Sequence, residues 1–354
     1  MEIAKFRAAR FLWAKFTEAW DLEPSIAGKL VIHATTSRWN KTIYDPYVNM
    51  LRSTTESMSA VLGGADSITV EPFDKVFREK SSTFSERIAR NTQLVLKEEA
   101  YFDKVSDPAA GSYYIESLTG ALIEAAWELF LQTDEKGGFY EAFKTGFVQD
   151  TIGKTASERD HYIASRRDVL LGTNKYPNPE EKVLDNIDLN IVSPGRVEAG
   201  DVLARPLRQY RGALPFEELR LKTERFPGGA PAVFLLTYGD PAMRKARAGF
   251  ASGFFGCAGF RIIDNLGFRT PAEGAKAAID SGARIVVVCS SDNEYPVIIP
   301  EIAGELKDKA ILVIAGYPKE SIGQLEEAGV NYFIHMKSNI LEMLKQFQQD
   351  LGIK

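Results

Sequence analysis

From residue 232 onward, five apolar runs recur at nearly even spacing, each followed by a stretch with helical periodicity. The runs cover residues 233–237, 260–263, 285–289, 311–314 and 332–334 and consist mostly of Val, Ile, Leu and Phe. A strand covered on one face alternates apolar with polar residues, whereas an unbroken apolar run suits a strand covered on both. Helices are expected near 243–254, 271–281, 296–307, 318–328 and 339–350. A helix between successive strands makes them parallel, because it supplies the long crossover that a parallel pair needs. Residues 231–354 are therefore expected to form a doubly wound, flavodoxin-like (Rossmann-like) domain. Ligands of such domains sit beyond the C-terminal ends of the strands, so the loops after Thr237, Cys289 and Ala315 form the expected rim.

The earlier part of the chain alternates less regularly. Ile3, Phe6, Ala9, Trp13, Phe16 and Trp20 recur at steps of three and four, as on a helix with one face to bury. Residues 29–37 form an apolar run ending in hydroxyl side chains, expected as a buried parallel strand with polar groups at its C-terminal end. Asp45-Pro46 opens a helix that stops at Gly63-Gly64, and residues 67–72 read as a second strand. Helical patterns follow over 115–131, 139–147 and 156–171. Between 177 and 231 the periodicity fades among Pro194-Gly195, Gly212, Pro227-Gly228-Gly229 and Pro231, so residues 191–230 are expected as a linker carrying one helix near 215–225.

The net charge of -5 across 354 residues is mild and argues against nucleic acid as a main partner. No run of about 18 apolar residues predicts a membrane span. Met1-Glu2-Ile3-Ala4-Lys5 lacks the features of a signal peptide, so a cytoplasmic location is expected. Cys257 and Cys289 lie far apart and suggest neither a disulfide framework nor a zinc site.

One stretch is more specific. Arg87-Ile88-Ala89-Arg90-Asn91-Thr92-Gln93 is followed by Glu98-Glu99, then Asp107-Pro108-Ala109-Ala110-Gly111-Ser112, then Glu116-Ser117-Leu118-Thr119. Ile88, Leu94 and Val95 are expected to bury one stripe of its helix. The ordered series resembles the signature of the methylmalonyl-CoA mutase family, with Ala110 where the family usually repeats glycine. The resemblance implies adenosylcobalamin-dependent rearrangement of acyl-CoA skeletons, on a (β/α)8 TIM barrel followed by a cobalamin-binding-type domain. A barrel takes about 250 residues, so residues 1–190 are expected to correspond to its C-terminal part alone.

The resemblance also names positions. Its catalytic members carry D-x-H-x-x-G after the first strand of the cobalamin domain, the histidine being the lower ligand of cobalt. Here the sequence is Asp240-Pro241-Ala242-Met243-Arg244-Lys245, with neither histidine nor final glycine. His33, His161 and His335 are the three histidines; His161 is expected to be solvated, and His335 follows the fifth strand in the wrong loop. The family's R-A-H-x-Q-T-S-G-W-S becomes Val31-Ile32-His33-Ala34-Thr35-Thr36-Ser37-Arg38-Trp39-Asn40. His33, Thr35, Ser37 and Arg38 are thus expected as vestigial substrate-binding positions, and Asp240, Ser290 and Ser291 as degenerate cofactor-binding ones. No catalytic residue and no metal ligand are expected.

These losses resemble the small, non-catalytic subunit within the family, which pairs with a large subunit as a heterodimer. The Gly249–Gly256 and Val288–Ser291 stretches favour it. The resemblance implies that adenosylcobalamin belongs to the large catalytic subunit, that this chain holds none, and that it spans about the C-terminal half of a small subunit. Alternatives are a split mutase whose other chain completes the barrel, with His33 and Arg38 taking part, and a regulatory module that binds a mutase. A free-standing flavodoxin-like binder lacks support, since neither G-x-G-x-x-G nor a P-loop occurs.

Overall fold

The computed structural model describes residues 1–192, 202–307 and 309–353. Pro194-Gly195 of the expected linker lie outside the described residues. The chain divides into two compact units, one of residues 1–157 with 187–211 and one of residues 158–186 with 212–354.

The first unit contains α1 (Glu2–Glu18), α2 (Pro24–Ala27), β1 (His33–Thr35), α3 (Val48–Leu62), β2 (Ser67–Thr69) and α4 (Thr83–Leu94), then α5 (Tyr113–Asp134) and α6 (Gly138–Lys144). Helix α7 (Phe147–Ala164) follows, and α8 (Leu189–Val192) comes later in the chain. β1 and β2 pair in parallel, with His33 opposite Ser67 and Thr35 opposite Thr69. The expected buried strand over 29–37 is therefore short and covered on one face only. Ala34 is buried while His33 and Thr35 are exposed, and Val31 is 79% exposed.

The aromatic stripe of α1 is also less buried than its spacing suggests. Ala4 and Ala8 form its inner line, where α1 meets α3 and α5, and Trp20 stays 67% exposed. Gly63 explains the close approach: a side chain there would meet Phe6 at 2.7 Å and the Ile3 backbone at 3.2 Å. The helix of the signature departs from expectation too. It runs as α4 to Leu94 and continues as a π-helical turn over Val95–Glu99. That wider turn shifts the phase of the side chains, so Ala89 and Leu96 are buried while Leu94 and Val95 lie about half exposed.

In the second unit, α9 (Leu214–Arg225) precedes β3 (Ala232–Thr237), α10 (Pro241–Gly256), β4 (Arg261–Ile263) and α11 (Pro271–Asp280). Then come β5 (Ile285–Cys289), α12 (Tyr295–Leu306), β6 (Ile311–Ala315), α13 (Ile322–Glu327), β7 (Tyr332–Ile334) and α14 (Ile340–Asp350). The sheet is parallel throughout, in the order β4-β3-β5-β6-β7. Phe234, Leu236, Val286, Val288 and Ile314 share a core with Ile298, Ile299 and Ile302 of α12 and Leu325 of α13. Val233, Leu235, Val287 and Val313 point the other way and are equally buried. Both faces are covered, and each such side chain contributes roughly 1.5–3 kcal/mol by leaving water.

The segment before the sheet is built in rather than loose. Gln348 of α14 donates to Leu219 O (2.7 Å) and Thr223 Oγ1 (3.0 Å) of α9. Asn174, fully buried, donates to Ile163 O and Asp168 O and accepts from Leu170 N. Arg220 holds the carbonyls of Asn178 and Glu181. These are side chains holding irregular backbone, which leaves no hydrophobic period to read.

Candidate functional site

Two places gather the residues that the sequence singles out, one in each unit. On β1 and β2, alternation puts His33, Thr35, Ser67 and Thr69 on one exposed face. His33 lies between two hydroxyls, Nδ1 at 2.7 Å from Ser67 Oγ and Nε2 at 3.1 Å from Thr69 Oγ1, so both ring nitrogens are engaged. Thr36 faces inward and accepts from Glu71 N at 2.9 Å. Ser37 donates its backbone N–H to Glu56 and accepts from Trp39 N. Arg38 forms a two-pronged ion pair with Glu71, which raises the pKa of the guanidinium further. Beside them Lys41 is buried against Glu56 at 2.8 Å, and that burial lowers the lysine.

Glu56 and Glu71 were not legible as partners, because each is an ordinary charged residue well beyond the motif in sequence, and Lys41, which directly follows it, carries no mark of its burial. The arrangement is a polar surface on which His33, Ser37 and Arg38 already have partners within the chain.

The signature itself is structural at its acidic end. Arg7 of α1 pairs with Asp107 and with Glu116 (2.6 Å), and Glu116 also accepts from Gly111 N at 3.0 Å. The Gly111 N–H and Arg7 hold the Glu116 carboxyl below its usual range. Asp107 and Gly111 adopt left-handed backbone, φ 44° and 76°, so the turn needs this clamp. Arg87 and Arg90 are exposed on α4.

In the second unit the C-terminal strand ends converge as expected. Asp240 caps α10 by accepting from Met243 N at 2.8 Å. Ser290, fully buried, places its Oγ 2.5 Å from Glu294 and 3.0 Å from Tyr238 O, so that its one hydroxyl proton is shared between two acceptors. Ser291 donates to the same carboxylate through N–H (3.0 Å) and Oγ (2.7 Å). Burial pushes Glu294 upward, but these serine donors outweigh it and hold the carboxyl below its ordinary 4.5. The carboxylate occupies the space that a side chain on Gly239 would fill, and Gly239 has φ 78°. Arg244 reaches Gly239 O (3.3 Å) and Leu266 O (2.9 Å), and Arg247 pairs with Asp292 at 3.0 Å.

His335 sits in the last rim loop, its ring 4.7 Å from that of Tyr317, and accepts from Lys337 N. Burial and Lys337 lower its pKa. Among the described residues no group of His, Cys, Asp and Glu converges to hold a metal ion, and Cys257 and Cys289 are buried and unbridged.

The sequence profile described as "Methylmalonyl-CoA mutase" matches residues 1–204. The chain belongs to the methylmalonyl-CoA mutase family. A protein of Porphyromonas gingivalis named "Methylmalonyl-CoA mutase small subunit" is 49% identical over 100% of this chain and 57% of its own length. The small subunit of Streptomyces virginiae is 35% identical over 88% of this chain and 49% of its own length. The P. gingivalis "Methylmalonyl-CoA mutase large subunit" is 28% identical over 93% of this chain and 56% of its own length. The chain thus spans about half the length of the curated relatives it matches.

In the loop after β3 the carboxylate of Asp240 is engaged in capping a helix. The rim residues of this chain do not fit the cofactor: the loop offers no imidazole, and a carboxylate fills the space beside Gly239. Glu294 could have been noticed in advance, since Ser291-x-x-Glu294 has the spacing of a capping box before an apolar helix.

Proposed function

We propose that this chain is part of the small subunit of a methylmalonyl-CoA mutase and does no chemistry itself. It supports a large catalytic subunit that interconverts methylmalonyl-CoA and succinyl-CoA with its own adenosylcobalamin. In this reading residues 1–190 derive from the later strands of the TIM barrel, and residues 231–354 are a flavodoxin-like domain of cobalamin-binding type. His33, Thr35, Ser37 and Arg38 are remnants of an acyl-CoA surface, while Asp240, Ser290 and Ser291 are remnants of a cofactor rim. Both subunit names occur among the relatives from one organism, which supports a heterodimer. The small-subunit name recurs across the whole chain in the first relative, so neither the split-mutase nor the regulatory alternative is favoured.

The observation that carries the reading is the loop after β3, where Ala242 stands at the position expected for the ligating histidine and Glu294 fills the adjoining space. No helix among the described residues is long and apolar enough to cross a membrane, in keeping with a cytoplasmic complex. Cobalamin titration of the purified chain, followed by absorbance, tests the reading. No spectral change should occur, while co-expression with a large subunit from the same genome should yield a stable pair. Binding with a histidine-ligated spectrum would overturn it.

A further inference from the structure

The five-stranded sheet runs in the order β4-β3-β5-β6-β7, so the chain leaves β3 toward β4 at one edge and leaves β5 in the opposite direction, toward β6. The crevice between the loops after β3 and β5 is the topological switch point, where open α/β sheets take their ligands. Here that crevice holds the chain's own carboxylate. Glu294 comes from the loop after β5, is gripped by Ser290 Oγ, Ser291 Oγ and Ser291 N, and lies against Gly239 of the loop after β3. Ser290 joins the same two loops again, its Oγ lying 3.0 Å from Tyr238 O.

A second tie lies beside it. Arg247 of α10 pairs with Asp292 of the loop after β5, and a side chain built on Gly316, after β6, would meet these groups at 3.1 and 3.0 Å. Both ties join separate loops across the strand ends, where a ligand would have to part them.

We infer that Glu294 is an internal latch: its carboxylate, seated against Gly239 and held by Ser290 and Ser291, closes the switch-point crevice. The missing histidine is then only half of the reason that this chain takes no corrin, and restoring it alone does not restore binding. The identity of the excluded ligand rests on the cobalamin-type reading proposed above, whereas the latch rests on the loop geometry alone. A glycine at 239 is required because a larger residue drives the carboxylate out, which provides a second way to open the crevice without deleting the acid.

The test has two arms on the full chain. In the first, amide hydrogen exchange is followed at residues 238–240 and 290–294 for Glu294→Ala and Gly239→Ala against the unmodified protein. Exchange in the 238–240 loop should quicken at least tenfold in both variants, with β6 and β7 unchanged. Unchanged protection of that loop in both variants overturns the latch. In the second arm, cobalamin is titrated into Ala242→His/Lys245→Gly with and without Glu294→Ala, and ligation is read from the absorbance spectrum. Binding should require the Glu294→Ala change and be at least tenfold weaker without it. Equal binding in both backgrounds overturns the latch as the barrier. If exchange responds as expected but no variant takes up cobalamin, the latch stands and the cobalamin-type reading of this unit falls.

Discussion

At the scale of single residues, the same side-chain types do opposite jobs in different surroundings. Glu294 and Glu71 are both loop carboxylates, yet one is held by neutral donors in a crevice and the other faces an arginine at the surface. The consequence for Glu294 is a pH dependence. Its folded-state pKa lies below its ordinary 4.5, so its contribution to stability is present above that value and is lost as pH falls through the lower one. Around it lie Asp240 at the start of α10, Arg244 and Arg247 on α10, and Asp292 on its own loop. Thermal unfolding measured from pH 7 down to pH 3 should show Glu294→Gln with a shallower acid decline than the unmodified chain. Arg38 offers the contrasting case. Its ion pair is largely solvated, with the guanidinium side chain 60% exposed, and exposed pairs contribute about 0–1 kcal/mol. Arg38→Ala should therefore unfold in denaturant within about 1 kcal/mol of the parent.

At the scale of elements, the five βα units were readable because hydrophobic burial on both faces of a sheet writes an unbroken apolar run into the sequence. β3 is buried at all six positions and β5 at all five. The stretch before them was not readable in the same way. It is held by Asn174, Arg166 and Arg220, each bonding to backbone carbonyls, and such bonds leave no periodic trace. Asn174→Ala removes three hydrogen bonds inside a fully buried site and leaves backbone groups unpaired. The expected loss is about 2–4 kcal/mol, to be measured by urea unfolding. Phe255 packs at a tilt against Phe260 and Phe347, with ring distances of 6.0 and 5.0 Å. Its replacement by Ala should cost about 3–5 kcal/mol through the cavity it leaves.

At the scale of the whole molecule, the two compact units differ in how completely their apolar surface is covered. The second is a closed core. The first carries α5, a 22-residue helix whose buried side chain is Thr119, with Tyr113, Tyr114, Leu129, Phe130 and Leu131 more than 40% exposed. An apolar groove of about 390 Å³ lined by Leu12, Trp13, Phe16, Trp127 and Phe130 lies between α1 and α5. Apolar surface of this extent marks contact with other protein or a liability to associate. The isolated chain should accordingly bind an apolar dye and elute larger than a monomer in size-exclusion chromatography. A monodisperse monomer without dye binding would contradict this.

The sequence by itself determined the parallel βα order of residues 232–350, the family through the series from Arg87 to Thr119, and the absence of any histidine from the loop after Thr237. Each is a local pattern of side-chain type and spacing, set by burial period or by a fixed motif. Only the tertiary structure decided that Arg7 clamps the turn of the signature and that His33 is held between two hydroxyls. It alone put Glu294 into the crevice beside Gly239. These are meetings of residues distant in the chain or across loops, and distance along a sequence carries no record of which polar groups fold toward one another.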